Sequence, residues 1–112
     1  MYKGGFRSYW NYRGSDPQIY SNCTYSQSGA LHPCFDQVEG NGNYTDFADF
    51  VTTINKLTNE TIEAELPKFF SVDSFIRFMV IETAISNLDS YPNYGNNWQL
   101  FHNVDTGIWE VK

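Results

Sequence analysis

The chain has 112 residues, which is enough for one domain or for part of a larger one. Hydrophobic residues make up 41% of it and aromatic residues 18%, so it has the apolar surface needed to fold around a core. The net charge is −6 and Lys and Arg do not cluster, which argues against nucleic acid as a partner because phosphates require a positive surface. No apolar run approaches the roughly 20 residues of a membrane-spanning helix.

The first 43 residues are rich in Gly, Ser, Asn, Tyr and Pro and show no sustained periodicity. This composition predicts a long loop region that aromatic side chains hold in place, with one short strand around residues 10–12. The triplet Ser15-Asp16-Pro17 is typical of a turn or of a helix start. In a helix, Asp16 would be the cap and Pro17 the first helical residue.

Two cysteines and three glycosylation patterns bear on the compartment. Cys23 and Cys34 lie in a polar segment, and the intervening His32 does not complete a zinc site, so we favour a disulfide over two free thiols. These features indicate a secreted or cell-surface protein. The first five residues carry no apolar signal core, so either the chain is intracellular or its natural start lies upstream. The glycosylation patterns are Asn22-Cys23-Thr24, Asn43-Tyr44-Thr45 and Asn59-Glu60-Thr61.

Residues 44–86 predict three helices. The first is expected to begin at a Thr45 cap, with two aspartates in its first turn that suit the positive end of the helix dipole. Thr58 is expected to cap a short second helix over residues 59–65. The apolar residues of the first helix recur at helical spacing at Phe47, Phe50, Val51, Ile54 and Leu57.

The third helix is expected to begin at a Ser71 cap and to cover residues 72–86. Apolar residues lie on several of its sides, which predicts that most of its surface is buried. After a loop over residues 87–97, two strands over residues 98–102 and 108–112 flank turn residues and predict a β-hairpin. The apolar residues of the third helix are Val72, Phe75, Ile76, Phe78, Met79, Val80, Ile81, Ala84 and Ile85.

The loop over residues 87–97 carries the residues that suggest a chemistry. Asp89, within Asn87-Leu88-Asp89-Ser90-Tyr91, follows the third helix, and Asn97 stands at the start of the next strand. Phosphoryl transfer needs such a pair, because a carboxylate orients or deprotonates the acceptor and an oxygen atom binds the metal. The alternative is that Asp89 is a turn or capping residue, since Asp and Asn are common in turns.

Four other polar residues give less support to a catalytic site. Lys3 lacks the glycine-rich loop of a phosphate-binding lysine and is expected to be solvated or at a strand end. Arg13 is expected to form a structural ion pair. His32 and His102 have no Ser or Cys nucleophile in a recognisable setting, so a hydrolase triad has little support.

Ordered segments over nearly the whole chain resemble the spore coat protein CotH kinase family. The most specific of them is the Val72-Asp73-Ser74-Phe75 helix start that leads into Asn87-Leu88-Asp89-Ser90-Tyr91. No one motif would suffice, but the series occurs in the family's order. The other matching segments are Tyr2-Lys3-Gly4, Tyr12-Arg13-Gly14-Ser15-Asp16-Pro17, residues 47–55 and Asn97-Trp98-Gln99-Leu100-Phe101.

The resemblance implies an α+β fold that is part of an atypical protein-kinase-like fold, mostly its C-lobe, in one incomplete domain over residues 1–112. It implies ATP as phosphate donor and a divalent metal, Mg or Mn. Asp89 would be the catalytic residue and Asn97 a metal ligand. Substrates would be secreted or coat proteins, and a host or cell-surface partner is also expected.

The chain also departs from the family pattern. In the family a Pro-Trp-Asp segment with a metal-binding Asp follows the hairpin, and an upstream lobe covers the nucleotide, whereas this sequence stops at Lys112. Lys3 matches a different family position from the phosphate-contacting lysine. We therefore expect a fragment of a secretory Ser/Thr kinase that is inactive when isolated. The alternative is a non-catalytic adhesion or interaction module at the cell surface, suggested by the aromatic, Cys-containing residues 9–42.

Overall fold

A computed structural model of the chain describes residues 1–5, 9–84 and 98–112. These residues form an α+β fold with two antiparallel sheets, which confirms the predicted class. The strands are β1 (Tyr2–Gly4), β2 (Thr24–Gln27), β3 (Ala30–Pro33), β4 (Phe35–Gln37), β5 (Gln99–Asn103) and β6 (Ile108–Val111). The helices are α1 (Pro17–Ser21), α2 (Thr45–Asn55), α3 (Ile62–Glu65) and α4 (Val72–Ala84), with a 3₁₀ turn at Leu66–Lys68 after α3.

The larger sheet joins the two ends of the chain. Its strands lie in the order β4, β1, β5, β6, and all neighbours are antiparallel. The first strand is therefore central, with Lys3 opposite both Asp36 of β4 and Gln99 of β5. Because β1 lies beside β5, the residues that follow the 87–97 loop are fixed by the N-terminus of the chain.

The predicted C-terminal hairpin is confirmed. Strand β5 pairs with β6, and His102 lies opposite Trp109 in this pair. The side-chain oxygen of Asn103 accepts hydrogen bonds from the backbone N–H groups of Asp105 and Thr106 and closes the turn. Gly107 has a φ of +74°, a conformation that costs a glycine nothing and other residues rarely adopt.

The first 43 residues differ from the predicted long loop, because they contain β1 to β4 and α1. Strands of three or four residues are too short to show the alternation by which strands are recognised. Residues 10–12, predicted as a strand, are not one, and Trp10 is instead buried among aromatic rings. Helix α1 begins as predicted, with the Asp16 carboxylate accepting from the Gln18 N–H and Pro17 in the first turn.

Cys23 and Cys34 form a disulfide, which confirms the favoured interpretation of the two cysteines. The bond closes the small sheet of β2 and β3, where the Cys34 N–H also donates to the Cys23 carbonyl at 2.9 Å. A cross-link of this kind typically stabilises a fold by about 2–4 kcal/mol. Since β4 follows Cys34 directly, the disulfide also joins the small sheet to the larger one.

The core consists largely of aromatic rings. Phe47 of α2 lies at its centre, with the ring centroids of Tyr2 at 4.8 Å, Phe35 at 5.0 Å and Tyr20 at 5.6 Å. Fully burying such a ring contributes about 1.5–3 kcal/mol, so this cluster dominates the stability of the fold. The largest fully buried side chains are Trp98, Tyr2, Tyr20, Phe35, Phe47, Leu100 and Val51.

Helix α2 lies where the sequence predicts it, but the predicted cap is wrong. Thr45 is its first residue, and the cap position is Tyr44, whose side chain makes no capping bond. The amide oxygen of Asn43 serves instead, accepting from the Thr45 N–H at 2.9 Å and from the Thr45 hydroxyl at 2.6 Å. Asn caps as well as Thr does, which explains the misassignment.

Helix α3 is shorter than predicted. It covers Ile62–Glu65, and its cap position is Thr61 rather than Thr58. Thr58 contributes its carbonyl, which accepts from the Ile62 N–H at 2.9 Å. Pro67 falls within the following 3₁₀ turn, in agreement with the predicted end of the helix.

Helix α4 begins as predicted but is much less buried than predicted. The Ser71 hydroxyl accepts from the Ser74 N–H at 3.3 Å, which confirms the cap. Phe78 is buried, and Val72, Phe75 and Met79 pack partly against the core. The opposite side is exposed, with exposed fractions of 53% for Ile76, 61% for Val80 and 58% for Ile81. Among the described residues, no helix has the length and apolar character needed to cross a bilayer.

Candidate active site

The two residues predicted to carry phosphoryl transfer, Asp89 and Asn97, lie outside the described residues. The elements on either side of their loop are described: α4 ends at Ala84, and β5 begins at Gln99 after the buried Trp98. These two elements flank residues 85–97, and Trp98 is the described residue at which the chain returns to the sheet.

The return point is held by Trp98, which is fully buried. Its carbonyl accepts from the Gly4 N–H at 3.1 Å, and its ring packs against Trp10 and Phe47 with centroids 5.4 and 6.3 Å away. A Cβ atom at position 4 would overlap the Trp98 indole, so β1 approaches this closely because residue 4 is a glycine. Asn97 is thus bonded directly to a residue that the core fixes on several sides.

The end of β6 lies beside the start of β5. Leu100 pairs with Val111, and the Lys112 N–H donates to the Gln99 carbonyl at 2.9 Å. Lys112 is therefore held beside the start of β5. The family resemblance expects its second metal-binding residue shortly after this strand.

The start of α4 is hydrogen-bonded to β6. The Ser71 N–H donates to the Trp109 carbonyl and the Trp109 N–H to the Phe69 carbonyl, both at 2.8 Å. The Ser74 hydroxyl accepts from the Val111 N–H at 3.0 Å. The helix that leads into the Asp89 loop and the hairpin that follows it are consequently one connected unit.

A groove between α4 and β6 opens beside this edge, lined by carboxylates of Asp73, Glu82 and Glu110 and by the cations Arg77 and Lys112. Arg77 lies 2.8 Å from Asp73, and both side chains are about three-quarters exposed. Exposed pairs of this kind contribute only about 0–1 kcal/mol. Within the described part of the groove, three carboxylates thus outnumber two cations, which disfavours a bare triphosphate.

A second polar cluster, which the sequence does not reveal, connects α2 to the larger sheet. Asp46 Oδ2 lies 3.0 Å from His102 Nδ1, and Asp46 Oδ1 accepts from the Tyr2 hydroxyl. The His102 ring stacks on Trp109 with centroids 4.2 Å apart. Burial, followed by the hydrogen bond to Asp46, raises the pKa of Tyr2, so the phenol stays neutral and donates.

This cluster was not predictable because its members come from β1, α2 and β5. The separations along the chain are 44 residues between Tyr2 and Asp46 and 56 between Asp46 and His102. It contains a carboxylate and an imidazole without a nucleophile, so its evident role is to hold α2 against the sheet. In the described residues, no group of three or more His, Cys, Asp or Glu could hold a metal ion.

The other residues considered in the sequence take structural positions. Lys3 is exposed on β1, as expected of a solvated strand lysine. The Arg13 guanidinium lies over the Phe35 ring at 5.0 Å and donates to Cys23 Sγ at 3.3 Å. The ion pair expected of Arg13 stays a prediction. His32 stacks on Tyr25 across the small sheet, with centroids 5.5 Å apart.

Comparison with known proteins supports the family resemblance. A family model described as CotH kinase protein matches residues 24–112, which includes every element from β2 to β6 and the loop of Asp89 and Asn97. No curated protein and no solved structure matches the chain. The family match covers well over half of the sequence, so the chain belongs to the CotH kinase protein family.

Proposed function

We propose that the chain forms part of a CotH-type protein kinase domain, with a kinase-like C-lobe, that transfers the γ-phosphate of ATP to Ser or Thr hydroxyls of secreted or coat proteins. The observation that carries this proposal is the family match over residues 24–112, a range that includes the Asp89 loop. The connection of α4 to β6 supports it, because catalytic groups are placed on loops that a rigid scaffold holds at both ends.

Each candidate residue has a defined role in this proposal. Asp89 orients the acceptor hydroxyl and takes its proton, and the amide oxygen of Asn97 binds a divalent metal. Amide and carboxylate oxygens fit Mg and Mn, which are hard cations. ATP supplies the phosphoryl group. Since carboxylates outnumber cations in the described part of the α4–β6 groove, nucleotide binding depends on the charge of the metal.

A second candidate function is a non-catalytic adhesion or interaction module of the same fold. The observation that favours it is the disulfide-closed sheet of β2 and β3. Leu31 on this sheet has an exposed fraction of 74%, and Tyr25 and His32 stack beside it. In this alternative, the disulfide would hold these side chains in a fixed arrangement for contact with another protein.

The test compares two Asp→Asn variants of the full-length gene product. Asp89→Asn is expected to lower kcat for phosphorylation of secreted proteins by roughly 10²–10⁴-fold, the usual contribution of general base catalysis. Asp105→Asn is the matched control, because Asp105 is exposed in the hairpin turn. The measurement is transfer of labelled phosphate from ATP with Mg or Mn. Unchanged transfer by Asp89→Asn would eliminate the role of Asp89.

Phosphate transfer, measured together with cell binding, separates the two candidate functions. A folded wild-type protein without phosphate transfer, together with cell binding that disappears when β2 and β3 are deleted, would favour the adhesion module. Cell binding that survives the deletion would count against it.

A further inference from the structure

We propose that Asn43 carries an N-linked glycan. It belongs to the triplet Asn43-Tyr44-Thr45, which covers the end of the connection between β4 and α2 and the first residue of α2, and both Asn43 and Thr45 are exposed. The inference rests on the secretory location contained in the proposed function, because such glycans are added there, and it is independent of kinase activity. Nothing in the proposed phosphoryl transfer makes use of this residue.

The amide of Asn43 is oriented by its own triplet. Its oxygen accepts from the Thr45 N–H at 2.9 Å and from the Thr45 hydroxyl at 2.6 Å. A backbone N–H can donate only to an acceptor, so these bonds identify which end of the amide faces the helix. The nitrogen Nδ2 stands at the other end, on an exposed residue.

Modification at Nδ2 is compatible with these contacts. The reaction forms a bond from Nδ2 to the first carbon of a sugar and breaks that carbon's bond to a lipid-linked pyrophosphate. The pyrophosphate leaves with the electron pair, and one amide hydrogen is released as a proton. The product keeps the amide oxygen, so both hydrogen bonds from Thr45 persist after modification.

The backbone of Asn43 is also held, which fixes where the glycan would stand. Its carbonyl accepts from Gln37 Nε2 at 2.9 Å, and the Gly42 N–H donates to Gln37 Oε1 at 2.6 Å. Asn43 lies on the rim of the depression that contains Asp46 and His102. A glycan here would cover this depression, on a different part of the surface from the α4–β6 groove.

The triplet at Asn22 is a poorer acceptor. Its central residue Cys23 is held in the disulfide, and its third residue Thr24 is paired with Pro33 in the small sheet. The disulfide and the strand pairing therefore restrict this triplet in the folded chain.

The triplet at Asn59 differs in another way. Its central residue is the acidic Glu60, and the hydroxyl of Thr61 accepts from the Thr58 N–H at 2.9 Å. At Asn43, by contrast, the central residue is the uncharged Tyr44, and the Thr45 hydroxyl donates to the amide of its own Asn.

The test is glycopeptide mapping of the protein isolated from its own cells, followed by the same mapping after expression through a eukaryotic secretory pathway. We expect peptide N-glycosidase to convert the modified Asn43 to Asp, with higher occupancy at Asn43 than at Asn22 or Asn59. Asn43→Gln should lose this signal, whereas Asn11→Gln, at an exposed Asn outside any triplet, should keep it. Because the wild-type protein is itself mapped, the test does not depend on the folding of a variant.

An unmodified Asn43 in either preparation, or higher occupancy at either of the other triplets, would overturn the inference. An active kinase with an unmodified Asn43 would overturn this inference alone. A modified Asn43 in a protein without phosphate transfer would leave the inference standing and count against the kinase.

Discussion

Helices α2 and α4 both carry many apolar residues, yet they differ in how far they are buried. In α2 the buried residues are Phe47, Ala48, Phe50 and Val51, whereas in α4 Phe78 is the buried residue. Helix α2 lies against rings from β1 and β4 and against Trp98, which precedes β5, but α4 contacts β6 and the core along one side. The number of apolar residues in a helix therefore does not determine its burial, which depends on how many neighbours the fold places around it.

The largest loss in the free energy of unfolding is expected when an aromatic ring is removed from α2. Phe47→Ala is expected to lower the free energy of unfolding by about 3–5 kcal/mol, because it leaves a cavity among five other rings. The matched variant on α4, Ile76→Ala, should change it by less than about 0.5 kcal/mol. Urea unfolding measures both. A cost above about 2 kcal/mol for Ile76→Ala would show that the outer side of α4 is covered in solution.

A smaller effect is expected from the polar contact that holds the start of α2. Tyr2→Phe removes the donor to Asp46 and should cost about 1–3 kcal/mol at neutral pH. Because the pKa of Tyr2 is raised above its ordinary value of 10.0, the folded state favours the neutral phenol. Its contribution is complete below about pH 10 and is lost as the pH rises above that value.

The measurement is the free energy of unfolding from pH 7 to 11 for wild type and Tyr2→Phe. The wild type should lose more stability than the variant above about pH 10. In the wild type, unfolding frees the Tyr2 phenol to ionise at its ordinary pKa, whereas the variant has no phenol at this position. Parallel alkaline declines in the two proteins would contradict the assignment.

The smallest change in stability is expected on the exposed side of α4. Replacing Ile76, Val80 and Ile81 by Gln should alter the free energy of unfolding by less than about 1 kcal/mol in total. The same change should reduce self-association, because exposed apolar patches promote it. Light scattering against concentration measures the association, and Phe78→Gln is the destabilising control. Loss of cooperative unfolding in the triple variant would contradict the exposure of this side.

The sequence predicts the elements whose signals are local. The Asp16 and Ser71 caps, the turn at Asn103 and the helical spacing of α2 each lie within a few residues, and the structure confirms them. The strands β1 to β4 escape prediction because their partners are distant and each strand is short. For the same reason the contact of His102 with Asp46 could not be foreseen. The roles of Asp89 and Asn97 stay predictions from the family pattern.

The close approach of Gly4 to Trp98 has a consequence for the interpretation of variants. Any side chain at position 4 would displace the indole, and the residue before that indole is the proposed metal ligand. If the proposed function holds, a substitution at Gly4 would lower phosphate transfer without adding or removing a chemical group at the proposed site. Under that proposal, genetic screens for loss of function would group Gly4 with Asp89 and Asn97, although the part of Gly4 is to leave room for the Trp98 indole.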